Sequence, residues 1–556
     1  MKYTSLLLTL AFALFAVSCD NLDLDDQLND PNEVTPETAE LDLVLNNVFL
    51  EFVEFVDEAS DETMPYVRLV AMTGGDRYDN QDGPTSFDFI WGKAYSELMP
   101  DVNLAIELAE AADFTVPAGA AKTIKAYIMM TLVDLFGDIP YSEAFQGITN
   151  PSPKADAGSA VYAEALALVE SALADFANPK GGIGNDLYYG GDVDSWAKMA
   201  NSLKLRYHVN TRLVGGSASE VNAAVAAGVI EEVGDDFQFQ YGLSRVNPDA
   251  RHPYYSDGYE AGGPSWYLSN YYMWLFFSDK NNLDPRLQYY FYRQDCDETN
   301  EDFFTLDCQD GPYPAHWPDG YPYCTASSPL FGGNAAGFQG VGYWGRDHGN
   351  DDGIPPDDLK RTAWGLYPAG GKFDAGNCTQ VSNGGTDGAR GAGIQPILLS
   401  SYVYFLRAEA ALTMGTSDDA REMLEKGVRA SISKVMNFQP LTSDEEAVAP
   451  TMDDVEAYVA EVMGSYDGSV SDDQRLDLIV KEYFLALQGM GLEAYNAYRR
   501  TCHPTGLQPV RSDSPGEFAR SFWYPASYVN RNANASQKSG VTGPVFWDTN
   551  AAGCVN

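Results

Sequence analysis

Apolar residues recur at three- and four-residue spacing through both ends of this chain, and that periodicity restricts it to a mainly α fold. Over residues 36–58 they fall at Leu41, Val44, Leu45, Val48, Phe49 and Phe52, with Thr35 placed to cap the helix before Pro36. The same pattern marks helices at 91–112, 120–136, 160–176 and 196–213, and again at 395–414, 418–436, 452–463 and 471–498. Short polar or Gly/Pro joints separate them, which is the layout of antiparallel helix pairs. From about Asp235 to Gly393 the pattern lapses. Gly, Pro, Tyr, Trp and Asp crowd that stretch, and only 266–278 reads as a helix. Residues 501–556 are again irregular. The expectation is one helical domain, 36–556, carrying a long loop-rich insertion at about 235–393.

Inside the second helical block, Tyr404, Ala408, Gly415, Ala420 and Leu424 fall at the aromatic, small and apolar positions of a tetratricopeptide unit. Small residues there let the two helices of a repeat pack closely. A tetratricopeptide-like scaffold of helical pairs is therefore expected.

The N-terminus is of another kind. Lys2 precedes an apolar run from Leu6 to Val17, then Ser18 and Cys19. Such a run is shorter than the roughly 20 apolar residues a spanning helix needs, and it has the form of an export signal. A cysteine directly after the cut is where bacterial lipoproteins carry their acyl chains, although Ala16 stands where leucine is usual. Residues 1–18 are read as a lipoprotein signal peptide and Cys19 as the lipidation site. Residues 19–35, acidic and poor in aromatics, read as a flexible tether. No later stretch approaches 18 consecutive apolar residues, so the lipid is expected to be the only membrane attachment.

The chain has 556 residues and a net charge of −45. A nucleic-acid footprint would be basic, so that class is excluded. Besides Cys19 there are Cys296, Cys308, Cys324, Cys378, Cys502 and Cys554, an even set suited to disulfides in an exported protein. Spacing suggests that the first four pair among themselves and Cys502 with Cys554. No C-x-x-C occurs, which disfavours a zinc ribbon.

Motifs for catalysis are missing: there is no H-E-x-x-H and no G-x-S-x-G elbow. No catalytic residue and no cofactor are expected. The Asp-rich stretches 76–83 and 350–353 lack the acidic twelfth position of an EF-hand, which leaves only a loop-bound structural calcium open. The constructive signal is aromatic. Sugar rings rest apolar C–H faces on Trp and Tyr, and the irregular region offers Tyr254, Tyr255, Trp266, Trp317, Tyr343 and Trp344 on loops. Core packing is the alternative for each of them.

Several landmarks resemble, in order, the SusD/RagB family of nutrient-binding outer-membrane lipoproteins. They are the signal and acidic tether, residues 134–144 (DLFGDIPYSEA), Trp196 with Ser202–Arg206, Phe405–Ala410, Gln488-Gly489 with Tyr498-Arg499-Arg500, Trp523-Tyr524-Pro525 with Asn530, and the closing Val545–Asp548. The resemblance covers nearly the whole chain outside the insertion. It implies a SusD-like fold without catalytic activity, seated as a lid on a SusC/RagA-like TonB-dependent transporter at the cell surface. Oligosaccharide or peptide would be its ligand. By position in that family, Asp76, Arg77, Tyr78 and Asn80, with Trp91 downstream, become further ligand-binding candidates. Two other readings compete: a tetratricopeptide scaffold that binds only protein, and a surface glycoside hydrolase with two carboxylates about 5–9.5 Å apart.

Overall fold

The helix Leu41–Thr63 turns one apolar stripe, Val44, Leu45, Val48, Phe49, Phe52 and Val56, into the interior. Its polar face carries Glu51 and Glu54, which share the buried ammonium of Lys93 with Glu97. Here and below, a computed structural model describes residues 40–260, 266–296, 316–317, 342–350, 359–382 and 384–556. Cys19, the tether, Cys308 and Cys324 lie outside the described residues.

Thr115–Phe136 is buried almost all round, because it is packed between Met99–Ala111 and Gly158–Ala177. Gly119 permits the closest approach: a Cβ there would stand 2.6 Å from Phe176 Cε1. The helix expected at 91–112 starts earlier and is interrupted. Asp88–Gly92 and Met99–Ala111 flank a π-helical turn at Lys93–Leu98. Val193–Asn210 follows, capped by the Asp192 carboxylate, and then Ala218–Ala227, a short helix that periodicity missed.

The second block opens with the pair Ser400–Met414 and Ala420–Met436. Gly415 ends the first in the left-handed region at φ 71°, and Asp419 caps the second. Gly427 rests on the Phe405 ring, which is the close packing expected of a tetratricopeptide pair. Met452–Gly468 continues the array. The single helix expected at 471–498 is two, Asp472–Ala486 and Gly491–Thr501, because Gly489 turns left-handed at φ 83° between them. Gly491–Thr501 packs back onto Leu41–Thr63, and Ser400–Met414 onto Val193–Asn210. One continuous core therefore runs from Val44 to Val555.

The strands are short. Phe237–Gln240 pairs antiparallel with Ile394–Leu398, Phe237 opposite Leu398 and Gln240 opposite Ile394. This corrects the helix expected from 395: Pro396 withholds a backbone N–H there, and the helix begins only at Ser400. The pairing also brings the two ends of the loop-rich region side by side. Within it, Asn270–Phe277 is a helix buried on every face. Phe291–Tyr292 pairs with Ala363–Trp364, and Cys296 is bonded to Cys378. Cys502 is bonded to Cys554, as spacing suggested. No described helix is long and apolar enough to cross a membrane.

Candidate functional site

The loop after Arg68 is organised by its own side chains. Arg77 N–H donates to Asn80 Oδ1 at 2.9 Å, Asn80 Nδ2 donates to Asp76 Oδ1 at 3.2 Å, and Gly74 N–H donates to Gln81 Oε1 at 3.0 Å. The Arg77 guanidinium forks onto Asp79, through Nε at 2.8 Å and Nη2 at 3.1 Å. That pairing holds the Asp79 carboxyl below its ordinary range. Arg77, Asp79 and Asn80 thus present a preset row of donors and acceptors to solvent.

A second wall comes from the tail. Arg77 Nη1 donates to Ser514 O at 3.1 Å, and Tyr78 N–H donates to Pro515 O at 3.1 Å. On the far side of the same strand of chain, Trp317 Nε1 donates to Val510 O at 3.1 Å, and His316 Nε2 stands 2.9 Å from that oxygen. Arg511 N–H donates to His348 O. The expected residues Asp76, Arg77 and Asn80 therefore lie beside residues 514–515 of the tail, whereas Trp317 meets the same segment at Val510 and is buried, 3% exposed. Reading the tail as irregular gave no reason to select 510–516, and no periodicity or motif marks it.

The floor is polar and buried. Tyr78 Oη accepts from Arg68 Nη2 at 2.8 Å and stands 3.1 Å from His348 Nε2. Burial pushes the Tyr78 hydroxyl up to about 12. Burial first, and the Arg68 charge second, hold His348 well below its ordinary value, so it is neutral. Tyr78 is 2% exposed and supports the loop from beneath instead of presenting its ring.

The remaining candidates lie elsewhere. Trp91 is wedged between Tyr95 and Tyr528, each 4.6 Å away, and belongs to the helical core. Tyr254 donates to Asp61 and stacks on Trp364 at 4.3 Å. Tyr255 donates to Asp387 O at 2.8 Å and stacks on Tyr259 at 4.5 Å. Tyr343 donates to Asp374 Oδ2 at 3.1 Å beneath Arg293, and Trp344 Nε1 donates to Asp295 O at 2.8 Å. All five rings are buried. Trp266 is half-buried against the core.

Among the described residues no group of three or more His, Cys, Asp or Glu side chains is placed to hold a metal ion. In the 76–83 stretch considered for calcium, Asp76 and Asp79 are engaged by Asn80 and Arg77. The 350–353 stretch leaves the described residues after Asn350.

Two family models match the chain. A SusD-like model described as starch-binding, associating with outer membrane, matches residues 31–307. One described as SusD and RagB outer membrane lipoprotein matches 394–542. Among solved structures, a SusD homologue from Bacteroides fragilis aligns over 92% of this chain and 100% of its own, at 19% identity and TM-score 0.65. A chitin-binding SusD homologue from Flavobacterium johnsoniae aligns over 92% and 99%, at 19% identity and TM-score 0.61. A SusD/RagB family protein from Bacteroides thetaiotaomicron aligns over 92% and 100%, at 16% identity and TM-score 0.62. A search of curated proteins returns no match. The helical pairs align with these structures from end to end, and the two family models take in most of the chain: it belongs to the SusD/RagB family.

Proposed function

We propose that this protein captures glycan or peptide ligands at the cell surface and passes them to a TonB-dependent outer-membrane transporter of the SusC/RagA kind. Cys19 would carry the lipid anchor, and residues 19–35 would be the tether that lets the folded body move at its transporter. The observation that carries the binding half of this reading is the edge built by Arg77, Asp79 and Asn80 beside residues 514–515 of the tail. A forked guanidinium, a carboxylate and an amide are the groups that pair with sugar hydroxyls or peptide amides. They are held by their own hydrogen bonds, so little ordering entropy remains to be lost on binding.

Isothermal titration against soluble oligosaccharides, chitin oligomers among them, and against short peptides tests it. Chitin belongs in that panel because a solved relative is described as chitin-binding. Wild-type protein should bind at least one class. Arg77→Ala should weaken that binding by roughly ten- to a hundredfold, as loss of a charged hydrogen bond of roughly 1.5–3 kcal/mol does. Heat absent across the panel, or affinity unchanged in both Arg77→Ala and Asn80→Ala, would refute the assignment. A Cys19→Ala precursor should lose lipid labelling and leave the membrane fraction.

A further inference from the structure

The turn that joins Ala420–Met436 to Met452–Gly468 encloses a cavity of about 360 Å³ against the loop-rich region. It shares no residue with the edge at Arg77. Its lining is apolar at Leu366, Phe373, Pro440 and Leu441 and polar at Gln439, Thr442 and Glu445. The volume falls in the range of roughly 300–1,000 Å³ typical of small-ligand sites.

The polar lining is preset. Thr442 N–H and Oγ1 both donate to Glu445 Oε2 at 2.8 Å, closing a capping box on the short helix Ser443–Glu446. That arrangement fixes the carboxylate and leaves Glu445 Oε1 uncommitted. Gln439 Nε2 donates to Ala392 O at 3.3 Å, which fixes the amide and leaves its Oε1 uncommitted as well. Behind Phe373, Tyr289 packs edge-on at 4.8 Å, and its hydroxyl has no hydrogen-bond partner among the described residues. Burial, with Glu445 contributing, pushes that hydroxyl up to about 12, so it remains a donor.

Two acceptors without a partner among the described residues, beside apolar side chains, call for a ligand that carries both hydroxyl donors and C–H surface. Among the described residues no Lys or Arg lines the cavity, so an anionic ligand would meet the repulsion of Glu445. We infer that this cavity is a second binding site, for a neutral sugar residue. The inference goes beyond the function proposed above and stands or falls separately from it, because the residues are different.

Saturation-transfer NMR on the folded chain, with glucose, N-acetylglucosamine and glucosamine as probes, tests it. One of the two neutral sugars should receive saturation from wild-type protein and from Arg77→Ala alike. Leu441→Trp fills the cavity from the turn and Ala389→Leu fills it from the facing loop. With either change made in the Arg77→Ala background, so that the first site is weakened, the signal should disappear in whichever of them keeps the wild-type circular dichroism. Glu445→Gln preserves the capping box and should weaken the signal several-fold. Four results would overturn the inference. One is no saturation of either neutral sugar by wild type. Another is a signal that survives both filling variants. The third is a signal confined to glucosamine that vanishes with added salt. A signal lost in Arg77→Ala but kept in Leu441→Trp belongs to the first site and likewise counts against the second.

Discussion

Asp134 is fully buried and receives hydrogen bonds from four separate stretches of chain: Tyr162 Oη, Arg206 Nη2 at 3.3 Å, Asn496 Nδ2 at 2.9 Å and Trp547 Nε1 at 2.9 Å. Arg206 also reaches Glu493. One carboxylate thus fastens both helical blocks and the tail to one point. Removing Asp134 leaves Arg206 to Glu493 but strands the buried Tyr162, Asn496 and Trp547 donors, a cost of roughly 3–5 kcal/mol in all at about 1–3 kcal/mol each. Asp134→Ala should lower stability by that order in urea unfolding, while Arg77→Ala, at the surface, should barely move the midpoint. A second residue-scale effect concerns pH. Burial first, then neighbouring carboxylates, raises Asp61 to about 7 and Glu62 to about 9 from ordinary values of 3.8 and 4.5. Tyr254 donates to Asp61, while Glu58 and Asp257 repel its charge; Asp82, Glu58 and Asp61 repel Glu62. With the folded values raised, folding takes up protons, so these groups cost nothing below the unfolded values. Between those ordinary values and about 7 for Asp61, or about 9 for Glu62, the unfolded chain has shed a proton that the folded chain keeps, so stability falls with rising pH over that range and levels off above it. The melting temperature should therefore fall with rising pH across that window. In Asp61→Asn/Glu62→Gln the fall should be shallower; an equal slope would mean that other groups set it.

At the scale of elements, glycines at helix ends are where the sequence could be tested most directly. Gly415 and Gly489 both have positive φ, but only Gly489 is also crowded: a Cβ would stand 2.8 Å from Pro368 Cγ, against open space at Gly415. Gly415→Ala should cost about 1 kcal/mol from backbone strain alone. Gly489→Ala should cost about 2–4 kcal/mol, since strain and overpacking add. Equal losses in paired denaturation curves would show that the Pro368 contact is soft. The same positions show what was legible in advance. Helices with a half-buried face announce themselves by period, and Gly415 stood out as a small position of the tetratricopeptide pattern. Gln488-Gly489 was visible as a landmark, yet its break was hidden because apolar residues continue on both sides of it. Strands of two to five residues have no period to detect, so the Ile394–Leu398 strand passed for the start of a helix. The site was half legible. Residues 76–80 could be placed by resemblance, but the tail that supports them is an irregular segment whose position depends on contacts far away in sequence. Aromatic richness marked a region well and individual rings poorly, because a Tyr buried beneath a loop and a Tyr facing solvent leave the same letter.

At the scale of the whole molecule, the tail from Cys502 onward is both a structural tie and a wall of the candidate site. It leaves the last long helix, passes 510–516 beneath the Arg77 loop, sends Trp547 into the Asp134 cluster, and is bonded back to Cys502 through Cys554. The two cysteines are 52 residues apart, and the chain entropy of a loop that long corresponds to about 4 kcal/mol, an upper value when the unfolded chain keeps some structure. Cys502→Ser/Cys554→Ser should therefore lose about 2–4 kcal/mol in urea. The Asp134 cluster and the backbone hydrogen bonds to Arg77 and Tyr78 do not involve the disulfide, so the folded variant should still place 510–516 where wild type does. Binding by the folded fraction should then be nearly unchanged, and a reductant, which also opens Cys296–Cys378, should bring wild type and the variant to the same stability. If binding instead fell in proportion with stability under conditions where the variant stays folded, the disulfide would be setting the position of the wall as well as the stability of the tail. Titration calorimetry and urea unfolding, each with and without reductant, separate the two outcomes.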